Sequence, residues 1–181
     1  LTEHCPTPIR KLNIGGGYGI PYFPGEKPLD ITQVGDALGK AMSNFKINQP
    51  ETEIIIELGR YLVGEAGLYV SQVLDKKISR GQTYLVVNGG LHHHLAASGN
   101  FGQVIRKNYP VSIGNKMKNI AMETVNIVGP LCTPLDILGD KMLLPEAEIG
   151  DFVVVHQSGA YGYTASPHQF LSQPECMEII V

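Results

Sequence analysis

One segment in the first third of the chain carries apolar residues at helical spacing. Four apolar residues, three or four positions apart, predict an amphipathic helix that begins near Asp30. They are Val34, Leu38, Met42 and Phe45. Short apolar runs at residues 10–14 and 53–57 flank the helix, and we interpret both as strands. The second run is rich in β-branched residues, which favours burial on both faces, and strand, helix, strand is typical of a parallel α/β unit.

The pattern changes after about Gly67, where short β-rich segments alternate with turns. We predict strands at residues 68–74, 83–87, 124–128 and 152–156, with a last strand at 177–181. The polar stretch at residues 76–81 is typical of a hairpin tip. The predicted fold class is therefore α/β plus all-β, with an α/β part at residues 1–70 and a β-domain at residues 71–181.

Composition and charge narrow the classes of function. The 181 residues are 43% hydrophobic and 17% charged, as in an ordinary globular protein with a substantial core. A net charge of -3 without a basic stripe argues against nucleic acid, and no apolar run is long enough to span a membrane. The three cysteines have unrelated spacings that fit neither a disulfide framework nor a zinc site, so we expect a reducing, cytoplasmic setting. They are Cys5, Cys132 and Cys176.

Two signals for phosphate binding follow the predicted strands of the α/β part. Gly15, Gly16 and Gly17 come directly after the first strand, where consecutive glycines let backbone N–H groups approach a phosphate. Glu57 and Arg60 come at the end of the next strand, which is where a parallel barrel places active-site groups. The alternatives are a plain glycine turn and a simple ion pair between the acid and the arginine.

Cys132 and Tyr161 are candidate reactive groups in the β-domain. Cys132 lies between prolines after Gly129, which favours a fixed loop in which a thiol serves as a proton donor. Tyr161 lies in a glycine-containing loop after a predicted strand. Alternatively, the cysteine is a small core residue and the tyrosine contributes only packing.

A run of three histidines invites a metal interpretation. His92, His93 and His94 are adjacent, so their side chains point in different directions, which is poor geometry for chelation. We therefore predict no metal site, and we expect one histidine of the run to face the active site.

In order along the chain, these motifs resemble the fold-type III pyridoxal-phosphate decarboxylases, which include ornithine, arginine and diaminopimelate decarboxylases. The family pattern is Gly-Gly-Gly, Glu-Pro-Gly-Arg, a Cys motif followed by Asp, and Gly-Ala-Tyr. The matching positions are Gly15-Gly16-Gly17, Glu57-Leu58-Gly59-Arg60, Cys132 through Asp136, and Gly159-Ala160-Tyr161. The segments at residues 128–136 and 157–162 look most like the exosortase-associated decarboxylases and the butirosin-pathway enzyme that acts on a carrier-bound glutamyl group.

The resemblance implies a pyridoxal 5'-phosphate cofactor. The three glycines of residues 15–17, together with Gly59, Arg60 and Tyr161, would hold its phosphate. Glu57 would hydrogen-bond the pyridine nitrogen and keep it protonated, so that the ring accepts the electrons released as CO2 leaves.

The resemblance also implies a shared active site in a homodimer. Cys132 would reach the neighbouring subunit's site and reprotonate the α-carbon of the substrate. Asp136 looks like a position used at the dimer interface. Thr133 and His92 are the further candidates for contact with substrate or with the interface.

Departures from the family pattern bear on the substrate. Thr133 stands where ornithine and diaminopimelate enzymes carry an acid for the distal amine, and Ala96 stands where diaminopimelate enzymes carry an arginine. An unpaired distal charge is costly in a closed site, so we expect neither a diamino acid nor diaminopimelate. The expected substrate is an amino acid, free or attached to a carrier protein. Leu58 in place of proline is a mild change.

The chain is too short for the whole enzyme of this family. The family's (β/α)8 barrel alone takes ~250 residues, and no lysine here matches the cofactor lysine. We therefore expect the last barrel units followed by a C-terminal β-domain, inactive alone. The alternatives are a non-catalytic homologue that acts as a binding partner, a β-rich module that binds metal through the histidines, an amino-acid racemase of the same fold type, and a diaminopimelate decarboxylase proper.

Overall fold

The computed structural model describes residues 4–23 and 25–181. The described residues divide into two compact units, and the division falls within one short helix. Unit 1 comprises the described residues up to Pro21 together with Lys27–Leu62, and unit 2 comprises those of Tyr22–Glu26 together with Val63–Val181. The elements match the predicted fold class, with α/β structure in the first unit and a sheet in the second.

Unit 1 contains two parallel strands and one long helix. Strands β1 (Lys11–Asn13) and β2 (Glu53–Ile55) pair in parallel, and helix α1 (Ile31–Asn48) connects them. The carboxylate of Asp30 caps α1 by accepting a hydrogen bond from Gln33 N at 3.0 Å. Helix α2 (Gly59–Val63) follows β2, and the boundary between the units crosses it.

The apolar stripe of α1 was predicted correctly, but the burial of β2 was not. The four stripe residues are the half-buried positions of a helix that is otherwise exposed. Ile54 and Ile55 in β2 are only half-buried, and Ile56 is 37% exposed, so the prediction of a strand buried on both faces is wrong. The physical reason is that a two-stranded sheet has too few neighbouring elements in unit 1 to cover both of its faces.

Unit 2 is built on a six-stranded sheet with the order β5-β8-β3-β4-β6-β7. Its strands are β3 (Tyr69–Ser79), β4 (Gln82–Val87), β5 (Val111–Ile113), β6 (Met122–Val128), β7 (Ile137–Pro145) and β8 (Phe152–Val155). The edge strands β5 and β7 contact each other, so the sheet curls towards a closed barrel. Fully buried aliphatic side chains from neighbouring strands form its core, including Val73, Leu85, Ile127 and Val153.

The hairpin between β3 and β4 turns later than predicted. Strand β3 continues to Ser79, so the residues expected to form the tip are mostly strand. The tip is Arg80–Gly81, where both residues have positive φ angles of 51° and 73°. Two central residues with positive φ are typical of a type I′ turn, whose twist matches that of the strands it connects.

The predicted last strand at residues 177–181 is also wrong. These residues are exposed and belong to no strand in the structure. Their apolar character suggests a strand, but they pair with none of the described strands. Among the described residues, no helix is long and apolar enough to cross a membrane.

Strand directions bring three loops to one end of the sheet. Strands β4 and β6 are parallel, while β4 and β8 each run antiparallel to β3. The carboxyl ends of β4, β6 and β8 therefore point the same way. The loop after β4 carries the histidine run, the loop after β6 carries Cys132, and the loop after β8 carries Tyr161. The fold thus gathers the candidate residues of unit 2 at one end of the sheet.

Candidate functional site

In unit 1, Asn13 ties the glycine loop (Gly15, Gly16 and Gly17) to Glu57. The Asn13 side chain donates from Nδ2 to Oε1 of Glu57 at 2.7 Å and accepts from Gly15 N at 2.8 Å. The backbone N–H of Glu57 donates to Gly15 O at 2.8 Å. Asn13 ends β1 and Glu57 follows β2, so parallel pairing brings the two together. Sequence reasoning missed Asn13, although its place at a strand end was a usable signal.

Backbone conformation or lack of space favours glycine at each of the three positions in this loop. Gly15 and Gly17 have φ angles of 77° and 83°, which other residues rarely adopt. Gly16 has no room for a side chain, because a Cβ there would lie 1.9 Å from Glu57 O. Among the described residues, no acceptor pairs with the N–H groups of Gly16 and Gly17, and both residues are exposed. The loop therefore presents two backbone donors that are able to bind an anion.

Glu57 and Arg60 lie near each other along the chain, yet the salt bridges of the described residues do not join one to the other. Of the two carboxylate oxygens of Glu57, only Oε1 has a partner among the described residues, which leaves Oε2 able to accept from a ligand. Gly59 and Arg60 begin α2, and the arginine side chain is half-buried. The simple pairing of acid with arginine is thus absent from the described salt bridges.

In unit 2, Cys132 lies exposed in the loop between β6 and β7. Its neighbour Thr133 is half-buried, and the Thr133 hydroxyl accepts a hydrogen bond from Leu135 N at 3.3 Å. That bond is local to the turn, so Thr133 supports the loop conformation in addition to any contact with substrate. An exposed thiol in an ordered loop fits the expected proton donor better than a core residue.

Asp136 ends the same loop and is only 2% exposed. Its carboxylate accepts from Leu91 N at 2.6 Å through Oδ1 and from Leu131 N at 2.9 Å through Oδ2. Burial raises the pKa of the Asp136 carboxyl, while these two backbone N–H groups act in the opposite direction. The carboxylate thereby joins the Cys132 loop to the loop after β4.

The three histidines of the run are buried, and two of them have fixed partners. His93 lies between the Tyr69 hydroxyl, 3.1 Å from Nδ1, and Pro174 O, 2.7 Å from Nε2. His94 accepts from Ala97 N at Nδ1 and lies 3.0 Å from Ser158 Oγ at Nε2. Since a carbonyl oxygen only accepts and a backbone N–H only donates, Nε2 of His93 donates to Pro174 O, and Nδ1 of His94 is the unprotonated nitrogen of its ring.

His92 differs from its two neighbours. It has no exposed surface, and neither of its ring nitrogens has a hydrogen-bond partner in the described part of the chain. Burial, with smaller contributions from His93 and His168, lowers the pKa of His92 to about 4. Burial likewise lowers the pKa of His94 to about 4. Both imidazoles are therefore neutral at pH 7. Within residues 4–23 and 25–181, no three metal-ligating side chains come together as a candidate metal site.

The loop after β8 carries Tyr161 in a strained backbone conformation. Tyr161 has a φ angle of 59°, is 44% exposed, and its ring lies 5.7 Å from that of Phe101. The loop is fixed by Gly159, whose N–H donates to Gly64 O at 3.0 Å. A Cβ at Gly159 would lie 1.8 Å from Val63 O, so only glycine permits this approach. A positive φ at a non-glycine residue is uncommon, and this chain also has one at Arg80 and at Lys141.

Hydrogen bonds join the three loops at this end of the sheet. Asp136 connects the loop after β6 to the loop after β4, and His94 connects the loop after β4 to Ser158 in the loop after β8. Ser166 Oγ adds a further bond from Leu95 N at 2.9 Å. Sequence reasoning missed Ser158 and Tyr69, because a serine or tyrosine near a strand end carries no distinctive signal.

The chain belongs to the pyridoxal-dependent decarboxylases. Residues 29–159 match the family model described as "Pyridoxal-dependent decarboxylase, C-terminal sheet domain". The family's cofactor and the fold class predicted from the motifs are thereby confirmed. The division at residue 70 and the roles of individual site residues stay predictions.

Two curated relatives illustrate the similarity. The chain is 42% identical over 173 residues to L-glutamyl-[BtrI acyl-carrier protein] decarboxylase from Niallia circulans, covering 93% of this chain and 40% of that protein. It is 35% identical over 171 residues to diaminopimelate decarboxylase from Synechocystis, covering 92% of this chain and 35% of that protein. The chain therefore spans well under half the length of these relatives.

Solved structures share the fold. Diaminopimelate decarboxylase from M. jannaschii in complex with L-lysine superimposes with a TM-score of 0.79 at 24% identity, over 91% of this chain and 36% of that one. The Helicobacter pylori enzyme complexed with L-lysine gives a TM-score of 0.75 at 25% identity, over 92% of this chain and 38% of that one. At 24% and 25% sequence identity, this structural similarity shows the fold of the chain alone.

The buried histidines predict a loss of stability in mild acid. The pKa of His94 falls from its ordinary value of 6.5 to about 4 on folding, so the unfolded chain binds a proton first as the pH drops. The stabilisation is fully present above pH 6.5 and is lost as the pH falls towards 4. It amounts to at most about 3 kcal/mol for this residue. Unfolding of the full-length protein, followed between pH 7 and pH 4.5, measures the slope.

Two variants separate this effect from general weakening of the loop. His94→Gln should make the dependence on pH less steep, because one of the two buried titrating rings is gone while His92 still contributes. Ser158→Ala removes the hydrogen-bond partner but keeps the ring, so it should lower stability while the slope persists. An unchanged slope in His94→Gln would contradict the assignment of a buried neutral imidazole.

Proposed function

We propose that this chain is the C-terminal part of a pyridoxal-phosphate-dependent decarboxylase whose amino-acid substrate has no free charge at its distal end. The observation that carries the proposal is the meeting of the glycine loop and Glu57 at the carboxyl ends of β1 and β2, within a chain of this family. The preferred substrate class is a carrier-bound aminoacyl group, as in the printed name of the Niallia circulans relative.

The residues of unit 1 fit the cofactor that the family implies. Gly16 and Gly17 offer two backbone donors, and Arg60 would add a bidentate donor for the phosphate. Oε2 of Glu57 would accept from the pyridine nitrogen, while Asn13 holds the carboxylate in place through Oε1. When bound, pyridoxal phosphate supplies an electron sink for the charge left on the α-carbon as CO2 departs. A phosphate role for Tyr161, in unit 2, rests on the resemblance alone.

Cys132 is the proposed proton donor to the α-carbon. Its thiol is exposed, and the loop around it is held by hydrogen bonds at Leu131 and Leu135. Each turnover takes the proton from the thiol to carbon, and solvent then restores it. The role requires a free thiol, which fits the reducing, cytoplasmic setting that we propose for the protein.

The substrate preference follows from the uncharged residue that comes directly after the thiol along the chain. Thr133 has no charge, and His92 has no exposed surface with which to meet a ligand. A free distal ammonium or carboxylate would find no counter-charge at Thr133, and leaving it unpaired in a closed site is costly. An amide or thioester at the distal end fits neutral partners, so a glutamyl group attached through its distal carbonyl is the leading candidate. A homodimer with shared active sites completes the proposal.

CO2 release by the purified full-length protein with pyridoxal phosphate tests the substrate class. We expect turnover of an L-glutamyl group on an acyl-carrier protein, and kcat/KM lower by roughly 100-fold or more for lysine, ornithine and diaminopimelate. Comparable turnover of those three amino acids would contradict the proposal that the substrate has no free charge at its distal end. If the protein binds the cofactor but releases no CO2 from the carrier-bound glutamyl group or from the three amino acids, the result would instead support a non-catalytic homologue.

Cys132→Ala tests the proton donor. The variant should lose roughly 100-fold or more in kcat, because a positioned general acid contributes that much. The matched control is Cys5→Ala, which removes another exposed thiol that lies in unit 1. Equal kcat values for the two variants would exclude Cys132 as the donor.

A further inference from the structure

The loop that carries Cys132 is fixed from inside by one buried carboxylate. Asp136 is 2% exposed, and each of its oxygens accepts from a different loop: Oδ1 from Leu91 N at 2.6 Å and Oδ2 from Leu131 N at 2.9 Å. Both donors are backbone N–H groups, so the hydrogen bonds hold the backbone of the two loops in place. Two acceptor oxygens are what an ionised carboxylate provides.

Two glycines leave the space that this carboxylate occupies. A Cβ at Gly90 would lie 2.1 Å from Oδ1 of Asp136, and one at Gly129 would lie 2.2 Å from Oδ2. Neither glycine has a positive φ, so backbone conformation does not explain their presence. The loops after β4 and β6 thus each contribute a glycine and a backbone donor to one carboxylate.

We propose that Asp136 is a positioning residue whose carboxylate sets Cys132 in register with the loop that carries the histidine run. Leu131 precedes Cys132 and Leu91 precedes His92, so the two hydrogen bonds act one residue away from each group. The role in the reaction rests on the proposed function, whereas the loop geometry does not. This assignment differs from the interface role that the resemblance implies, since the carboxylate bonds within its own chain.

Asp136→Asn is the variant that tests the assignment. An amide has nearly the same shape, but its nitrogen would face a backbone N–H and leave that donor without an acceptor. Asp151→Asn is the matched control, because Asp151 is 6% exposed, accepts from Glu148 N at 2.6 Å, and lies at the opposite end of the sheet. It should weaken the fold without disturbing Cys132.

Hydrogen exchange and cysteine labelling in the full-length protein report the geometry without any reaction. In Asp136→Asn, amide exchange should accelerate by roughly tenfold in both residues 88–95 and residues 129–136. The alkylation rate of Cys132, quantified by peptide mass spectrometry, should change by roughly threefold or more, with Cys5 as the internal reference. In Asp151→Asn, both segments and the Cys132 rate should stay as in the parent protein.

Kinetics with the substrate that the parent protein decarboxylates then report the consequence. We expect Asp136→Asn to lower kcat by roughly 10- to 100-fold with KM nearly unchanged, because the proton donor is displaced while binding persists. Unchanged exchange, or unchanged kcat in an active protein, would overturn the positioning role. Altered exchange and labelling in a protein that releases no CO2 would support the loop assignment and count only against the proposed function.

Discussion

The hydrogen bonds from Leu91 and Leu131 to the Asp136 carboxylate are the constraint on which the candidate site of unit 2 depends. They join the loops after β4 and β6, and His94 extends the connection to the loop after β8 through Ser158. Each bond is buried or half-buried, where it is stronger than in water and where losing one partner leaves a costly unpaired group. A short network thereby orders three loops that the sheet brings to one end.

In unit 1, hydrogen bonds and close backbone contacts likewise hold the candidate site in place. Parallel pairing of β1 with β2 brings Asn13 to Glu57, and the glycine loop approaches so closely that only glycine is possible at position 16. As a result, two backbone donors and one carboxylate oxygen of this loop have no partner within residues 4–23 and 25–181. Such an arrangement suits a ligand with an anionic group and a ring nitrogen, which is the chemistry of the family's cofactor.

Local patterns in the sequence predicted local structure well. The stripe of α1, the strands β3, β4, β6 and β8, and the order of the family motifs were all readable, because each depends on periodicity or on a short motif. Strand β5 was missed because its three residues lie between Pro110 and Gly114, which are typical of a loop. Strand β7 was missed because Asp140 and Lys141 look like a turn, whereas Lys141 has a φ of 49° within the strand.

Features that depend on distant partners could not be predicted. The segment at 177–181 has the composition of a strand but pairs with none of the described strands, and β2 lacks the neighbours that would bury both faces. The separate roles of His93 and His94 come from Tyr69 and Ser158, which are distant in sequence. Visible absorption of the full-length protein with the cofactor, before and after borohydride, tests whether this chain is part of a pyridoxal-phosphate enzyme. We expect a visible band that disappears on reduction, with the label on a lysine outside these 181 residues. The absence of a band at saturating cofactor would contradict membership in such an enzyme.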